Sequence, residues 1–161
     1  KQLFGLYTQV ADNGDVRFRA PPAAAPDDEQ LTTVRNELHR LLTEAQRLMP
    51  RREPEAGWDE LQKRVRSLRW SHEDNKWRTR TDLMNAALDA VYGRKAATLN
   101  RWTGDARVRE LVRDLAADWA ALDDPEHPIR RVCVRWLAHR YTIVIRFARA
   151  AAAYYAQLRG R

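Results

Sequence analysis

Apolar residues recur every three or four positions along most of this 161-residue chain, which is the spacing of amphipathic helices. The first stripe is Leu31, Val34, Leu38, Leu41, Leu42, Ala45 and Leu48. Asp27, Asp28 and Glu29 precede it, where acids favour a helix N-terminus, and Pro50 stops it. A second stripe runs through Trp58, Leu61, Val65 and Leu68, and Ser71, three before Asp74, is placed to cap a further helical turn. Thr81 and Asp82 open a third helix carrying Leu83, Met84, Ala87, Leu88, Val91 and Tyr92, and Gly93 closes it. A short helical piece is predicted over residues 94–102. Asp105 then caps a helix whose stripe is Val108, Leu111, Val112, Leu115, Trp119 and Leu122. Asp124, Pro125 and Pro128 separate it from one long final helix.

That final helix is apolar over most of its circumference. Ile129, Val132, Cys133, Trp136, Leu137, Ile143, Val144, Phe147, Tyr154, Tyr155 and Leu158 share one broad arc. Such a helix is expected in the middle of a bundle, touched by several others. Alanines at 150–153 allow close helix approach. Arg140 interrupts the arc, and it either meets a buried acid or marks where the helix surfaces.

The N-terminus follows a different pattern. Residues 3–10 are rich in strand formers, Asp12-Asn13-Gly14-Asp15 is a type I′ turn signal, and Val16 to Arg19 alternate. A β-hairpin is predicted over residues 1–20, with Phe4, Tyr7 and Phe18 as anchors. An isolated hairpin is marginal in water, so this one is expected to dock on the bundle or on a neighbouring protein. Residues 21–26 form a proline-rich linker. The predicted fold is therefore mainly α: a bundle of five to six helices over residues 27–161, as one domain, with a short N-terminal β-hairpin. No internal repeat is visible.

Cys133 is the only cysteine, so no disulfide forms within the chain. A reducing, cytoplasmic setting is expected, with Cys133 as core filler. No run of about 18 apolar residues exists, which argues against a membrane partner, and no signal peptide is visible. The chain begins at Lys1, so preceding sequence is expected. Heavy use of Ala and Arg suggests a GC-rich bacterial genome.

The net charge of +7 has an uneven source. From Glu126 to Arg161 the chain holds eight arginines, no lysine and one acid, a balance equal to that of the whole protein. At about 100° per residue, Arg131, Arg135, His139, Thr142, Arg146 and Arg149 fall within roughly 80° of one another on the last helix. A stripe of guanidiniums suits phosphate, because each offers a planar fork of donors. The alternative is pairing with acids of the preceding stretch, Asp105, Glu110, Asp114, Asp118, Asp123, Asp124 and Glu126. A second basic patch comprises Lys63, Arg64, Arg66, Arg69, Lys76, Arg78 and Arg80, against Glu73 and Asp74. Trp70 and Trp77 lie among these bases, as stacking platforms for nucleobases or as helix-packing residues. Trp58, Trp119 and Trp136 sit on apolar stripes and are assigned to the core.

Motifs for catalysis are lacking. The glycines are isolated, with no phosphate loop, and the histidines do not show zinc-binding i, i+4 spacing. Asp124 and His127 are separated by a turn-forming proline, which disfavours a metal role. His72, Glu73 and Asp74 read as an exposed turn before they read as an acid–base group. A nucleophilic Cys133 needs an accessible setting, which its apolar face denies. No enzyme activity, metal or cofactor is expected. Asn75 and Asn100 offer base-reading amides without a recognition helix to arrange them, so backbone binding is expected.

A small, single-cysteine, Trp- and Arg-rich helical protein with basic surfaces resembles the small subunits of multi-subunit CRISPR surveillance complexes. The resemblance covers residues 27–161 and is one of size, helical order and charge distribution. It implies a non-catalytic bundle that stacks along an RNA-guided ribonucleoprotein complex in antiviral defence. Such a bundle contacts RNA or single-stranded DNA through basic residues, and its partners are other protein subunits, including copies of itself. The candidate contacts carried over are the patch at 63–80 and the stripe Arg131, Arg135, Arg146 and Arg149; the hairpin departs from the all-helical pattern. Two rivals remain: a helix-turn-helix DNA-binding regulator, and a protein-only adaptor or inhibitor.

Overall fold

The computed structural model describes residues 23–73 and 77–160, and the backbone alone of 7–10 and 16–19. It is mainly helical. Its contacts divide the chain into two units, Asp27–Cys133 on one hand, and Lys1–Pro26 with Val134–Arg161 on the other.

The first unit is a bundle of four helices: α1 (Asp28–Leu48), α2 (Glu60–Glu73), α3 (Arg80–Tyr92) and α4 (Ala106–Ala120). The opening turns of a fifth, α5 (Pro128–Arg159), complete it, so the expected five to six helices are too many for the bundle itself. Helix α1 packs against α2, α3 and α4 and buries Val34, Leu38, Leu41, Leu42 and Ala45 among them. Leu61, Val65, Leu68, Leu83, Met84, Val91, Val112, Leu115, Trp119, Leu122 and Ile129 fill the remaining core. Each such side chain contributes about 1.5–3 kcal/mol on burial.

Local chemistry fixes where the helices begin. Asp27 caps α1, its side chain accepting from Gln30 N while Gln30 returns a bond to Asp27 N. Thr79 caps α3 through Asp82 N, so the helix starts at Arg80, one residue before the expected Thr81, and Asp105 caps α4 through Arg107 N. The sequence 94–102 is not the helical piece expected. Only Leu99–Arg101 forms a 3₁₀ turn. The backbone instead runs past the start of α2, where Leu61 N donates to Ala96 O.

The reason is a buried polar cluster around Asp59, which is only 3% exposed. One carboxylate oxygen accepts from Gln62 N at 2.7 Å; the other accepts from Thr98 N at 2.7 Å and from Trp102 Nε1 at 2.6 Å. Gln62 answers with Oε1 accepting from Asp59 N at 2.8 Å, and its Nε2 donates to Arg101 O at 2.8 Å. This is a capping box that also ties a distant connection to α2. Ser71 does not cap a new turn. It lies within α2, donates to Leu68 O and accepts from Trp77 Nε1 at 2.9 Å.

In the second unit, the backbone of β1 (Tyr7–Val10) pairs antiparallel with β2 (Val16–Arg19), Tyr7 opposite Arg19. The turn at 12–15 and the anchors expected at Phe4, Tyr7 and Phe18 lie outside the described residues or side chains, so the hairpin as a docking element is not carried by the structure. The remainder of this unit is α5 from Val134 onward. On it, His139 Nδ1 donates to the Ala23 carbonyl at 3.0 Å, and Thr142 is buried with its hydroxyl donating to Ala138 O.

Two expectations for α5 change. Its early apolar residues, Ile129, Val132, Cys133 and Trp136, are buried, but Ile143, Val144, Phe147, Tyr154, Tyr155 and Leu158 are exposed. The wide apolar arc therefore does not make α5 a central helix beyond Trp136. Arg140 is exposed with its guanidinium 5.9 Å from the Trp136 ring, which fits the surfacing alternative. Among the described residues no helix is long and apolar enough to cross a membrane.

Two outcomes follow from this packing. Asp59→Ala removes an N-cap and strands the N–H groups of Thr98 and Trp102, so urea denaturation should show a loss of about 2–4 kcal/mol. A loss below about 1 kcal/mol would mean the cluster does not hold the connection. Cys133 is buried and its thiol is pushed up to about 12 by desolvation. Iodoacetamide at pH 8 should leave it unmodified in the folded protein and label it fully in urea, as read by mass spectrometry; rapid native labelling would place it at the surface.

Candidate nucleic-acid interface

The patch expected at residues 63–80 does not form one surface. At 100° per residue along α2, Lys63, Arg66, Arg69 and Trp70 share the outward face, and all four are exposed. Arg64 lies on another side of the helix. Its guanidinium packs against Gly93, where even a β-carbon would collide with it, and Nε donates to Arg94 O at 3.4 Å. It serves the α2–α3 packing. Arg78 and Arg80 are exposed at the start of α3, where Arg80 stands 4.0 Å from Asp28 at the head of α1. The α2 arginines instead border the tail of α1, about 27 Å away by helix rise. Lys76 lies outside the described residues.

Trp77 is withdrawn as a stacking platform. It is 3% exposed, its indole N–H bonds to Ser71, and its carbonyl accepts from Arg35 at 2.8 Å. His72 packs edge-on against its ring, 4.8 Å between centroids. Trp70 is 61% exposed on the basic face of α2 and keeps its candidacy.

A feature not anticipated from sequence is a groove of about 390 Å³ between the end of α1, the connection that follows it, and α2. Met49, Pro50, Trp58, Val65 and Gln46 line it, and Arg51, Arg66 and Arg69 supply guanidiniums that make its surface more polar than apolar. Trp58 was expected in the core; it precedes α2 and is half-buried, with the Arg66 guanidinium 4.9 Å above its ring. That stacking holds Arg66 over an aromatic face while leaving its edge donors available. The turn leading into Trp58 uses Gly57 at φ +88°, a conformation costly for other residues. The carbonyl of Trp58 is held by Arg101 at 3.3 Å. Salt links at the rim are weak: Arg69 meets Glu73 at 2.8 Å and Lys63 approaches Glu60 at 3.9 Å, all four side chains well exposed. Phosphate can displace such pairs at small cost. The sequence did hold a signal for the groove, the Arg51-Arg52 pair directly after the helix-stopping Pro50.

The stripe of α5 is divided. Arg131 lies in the bundle unit and is paired with Glu126, as the intramolecular alternative expected. Arg135, Arg146 and Arg149 are exposed in the other unit. His139 and Thr142, between them on the stripe, are engaged by the Ala23 carbonyl and by burial. Of the acids named as alternative partners, Asp123 meets Lys95 at 3.1 Å, Glu110 meets Arg113 at 2.7 Å and Asp118 is 4.0 Å from Arg40.

Residues weighed for catalysis are occupied in other ways. Glu73 is engaged by Arg69 and His72 by the Trp77 ring. Asp124 accepts from Glu126 N, and His127 Nδ1 accepts from Ile129 N at 3.1 Å, an arrangement that organises the turn into α5. A thiol held protonated by burial is a poor nucleophile. No cluster of metal-ligating side chains occurs among the described residues. Comparison with protein-family models, with curated proteins and with solved structures gives no match, so the geometry of the groove and of the α5 stripe stands without a relative to interpret it.

Proposed function

We propose that this protein is a non-catalytic nucleic-acid-holding subunit, a small bundle that grips RNA or single-stranded DNA by its backbone within a ribonucleoprotein complex and associates with copies of itself or neighbouring subunits. Guanidiniums bind phosphate with directional donors. The observation that carries this reading is the groove, where three arginines, Arg51, Arg66 and Arg69, gather beside the half-buried Trp58 and Arg66 is stacked on its ring. Its volume lies at the lower end of the range for small-ligand clefts, about 300–1,000 Å³, which fits one nucleotide of a strand and not a duplex. Lys63 and Trp70 continue the same exposed face of α2. Arg135, Arg146 and Arg149 of α5 add a second basic surface. An RNA-guided complex of the CRISPR type is the setting that size, helical order and charge distribution favour.

A protein-only adaptor is the second reading, favoured by the exposed apolar side chains of α5.

Binding of labelled single-stranded RNA, single-stranded DNA and duplex across a salt series tests the proposal. Neutralising about six phosphates gives a log–log slope near −4 for single strands. Changing Arg51, Arg66 and Arg69 together to Ala should lower that slope by about 2 and weaken single-strand binding by at least tenfold near 0.1 M salt. Binding without salt dependence, or a variant indistinguishable from the native protein, overturns the groove as the site. No binding to any probe, by the protein alone or in its native complex, favours the adaptor.

A further inference from the structure

The exposed side of α5 carries more apolar surface than a lone helix face normally shows. Val144, Phe147, Ala151, Tyr154 and Leu158 recur at alternating intervals of three and four, the a/d repeat of a helix-pairing seam. Phe147 is 75% exposed, Val144 60%, Tyr154 59% and Leu158 44%, with Ile143 and Tyr155 beside them at 52% and 62%. Each aromatic side chain can bury about 150–250 Å², so at these exposures the six offer an apolar area on the order of 600–700 Å². That exceeds the largest patch of a typical monomer, about 300–600 Å², and approaches the roughly 800 Å² per partner of a stable interface.

We propose that this seam pairs with the same seam of a second copy of the chain. The occupant follows from the flanks. The positions bordering the seam are Ala148, Ala150, Tyr155 and Gln157, none of them charged. Self-pairing therefore brings no like charges together across the flanks, and nothing there selects an acidic partner helix. The only charges between Val144 and Leu158 are Arg146 and Arg149, on the far side of the helix. In a pair they stay in solvent, separated by about two helix diameters of roughly 10 Å each. Arg140 and Arg161 occupy the next seam positions toward the two ends and bound the uncharged stretch. Val144 to Leu158 is the part of the seam that a second copy covers.

Ala151 also argues for a helix over a lipid surface as the occupant. It leaves a gap on the seam between Phe147 and Tyr154, and a facing helix can fill that gap with a knob. The inference rests on the self-association half of the function proposed above and is independent of nucleic acid.

Sedimentation velocity of the full chain from about 2 to 200 μM, without nucleic acid, should show monomer passing to dimer, with dissociation in the micromolar range. The Phe147→Glu, Tyr154→Glu double variant should remain monomeric across that range with unchanged helical circular dichroism. In a Cys133→Ser background, V144C with L158C should form an intermolecular disulfide under mild oxidation, because either helix direction sets one of these positions against the other copy's 144 or 158. A monomer at every concentration, a dimer that persists in the double variant, or no cross-link between the two cysteines overturns the seam. A monomer that instead binds phosphatidylglycerol vesicles assigns the arc to a lipid surface and also overturns the proposal. A protein that dimerises as described but binds no nucleic acid refutes only the groove.

Discussion

The carboxylate of Asp59 decides where α2 begins, while the buried stripe of Leu61, Val65 and Leu68 sets which of its residues face outward. Asp59 and Gln62 each accept the other's backbone N–H on a side-chain oxygen, and both are buried, so neither has water as a substitute partner. The same carboxylate holds Thr98 and Trp102, which commits the connection after α3 to lie across the head of α2. Trp58, the residue before this cap, is held at the head of α2 beside the groove, its carbonyl accepting from Arg101. A buried network of this kind stabilises only because each member is satisfied.

Charge in this protein serves two purposes, and composition alone does not separate them. Arg35, Arg64, Arg101 and Arg130 each donate to a backbone carbonyl in a connection between helices, at Trp77, Arg94, Trp58 and Asp123 respectively. Helix ends leave carbonyls without partners, and here long arginine side chains reach across to supply donors. Others make local pairs along α1 and α4, such as Arg40 with Glu37 and Arg113 with Glu110. The Arg40–Glu37 contact holds the Glu37 carboxyl below the usual carboxylate range, chiefly through their hydrogen bond. Exposed pairs of this type add little stability. The arginines of the groove and those at 135, 146 and 149 on α5 are exposed.

Much of the helical bundle was legible because its helices carry strong periodicity and explicit stops. The caps at Asp27 and Asp105 follow from residue type, and Pro50 ends α1 as its chemistry requires. Asp59 and Gln62 also stand at capping-box spacing, but a stripe that already included Trp58 places the helix two residues too early. The 94–102 connection was misread for a tertiary reason: its N–H groups and indole find a partner in Asp59, which competes with helix formation. The basic patch failed for a similar reason. Sequence proximity gathers Arg64, Arg66, Arg69, Arg78 and Arg80, but two helices and their packing separate them. Arg51 was missed because its closeness to Arg66 and Arg69 exists only once α1 and α2 pack.

Helix α5 shows the limit of reading burial from periodicity. An apolar arc says that a face needs covering; it does not say by what. Early in α5 the bundle covers it, at Ile129, Val132 and Cys133. Farther along, within its own unit, the polar side is engaged through His139 and the Ala23 carbonyl while the apolar side stays open. On the proposed pairing, two copies would present their α5 arginines on opposite flanks of one helix pair. Weak phosphate contacts repeated on linked copies act at high effective concentration. If the chain also holds nucleic acid as proposed, individually modest arginine sites then suffice to hold a strand once the copies are joined, and the hydrophobic seam becomes the element on which that affinity depends.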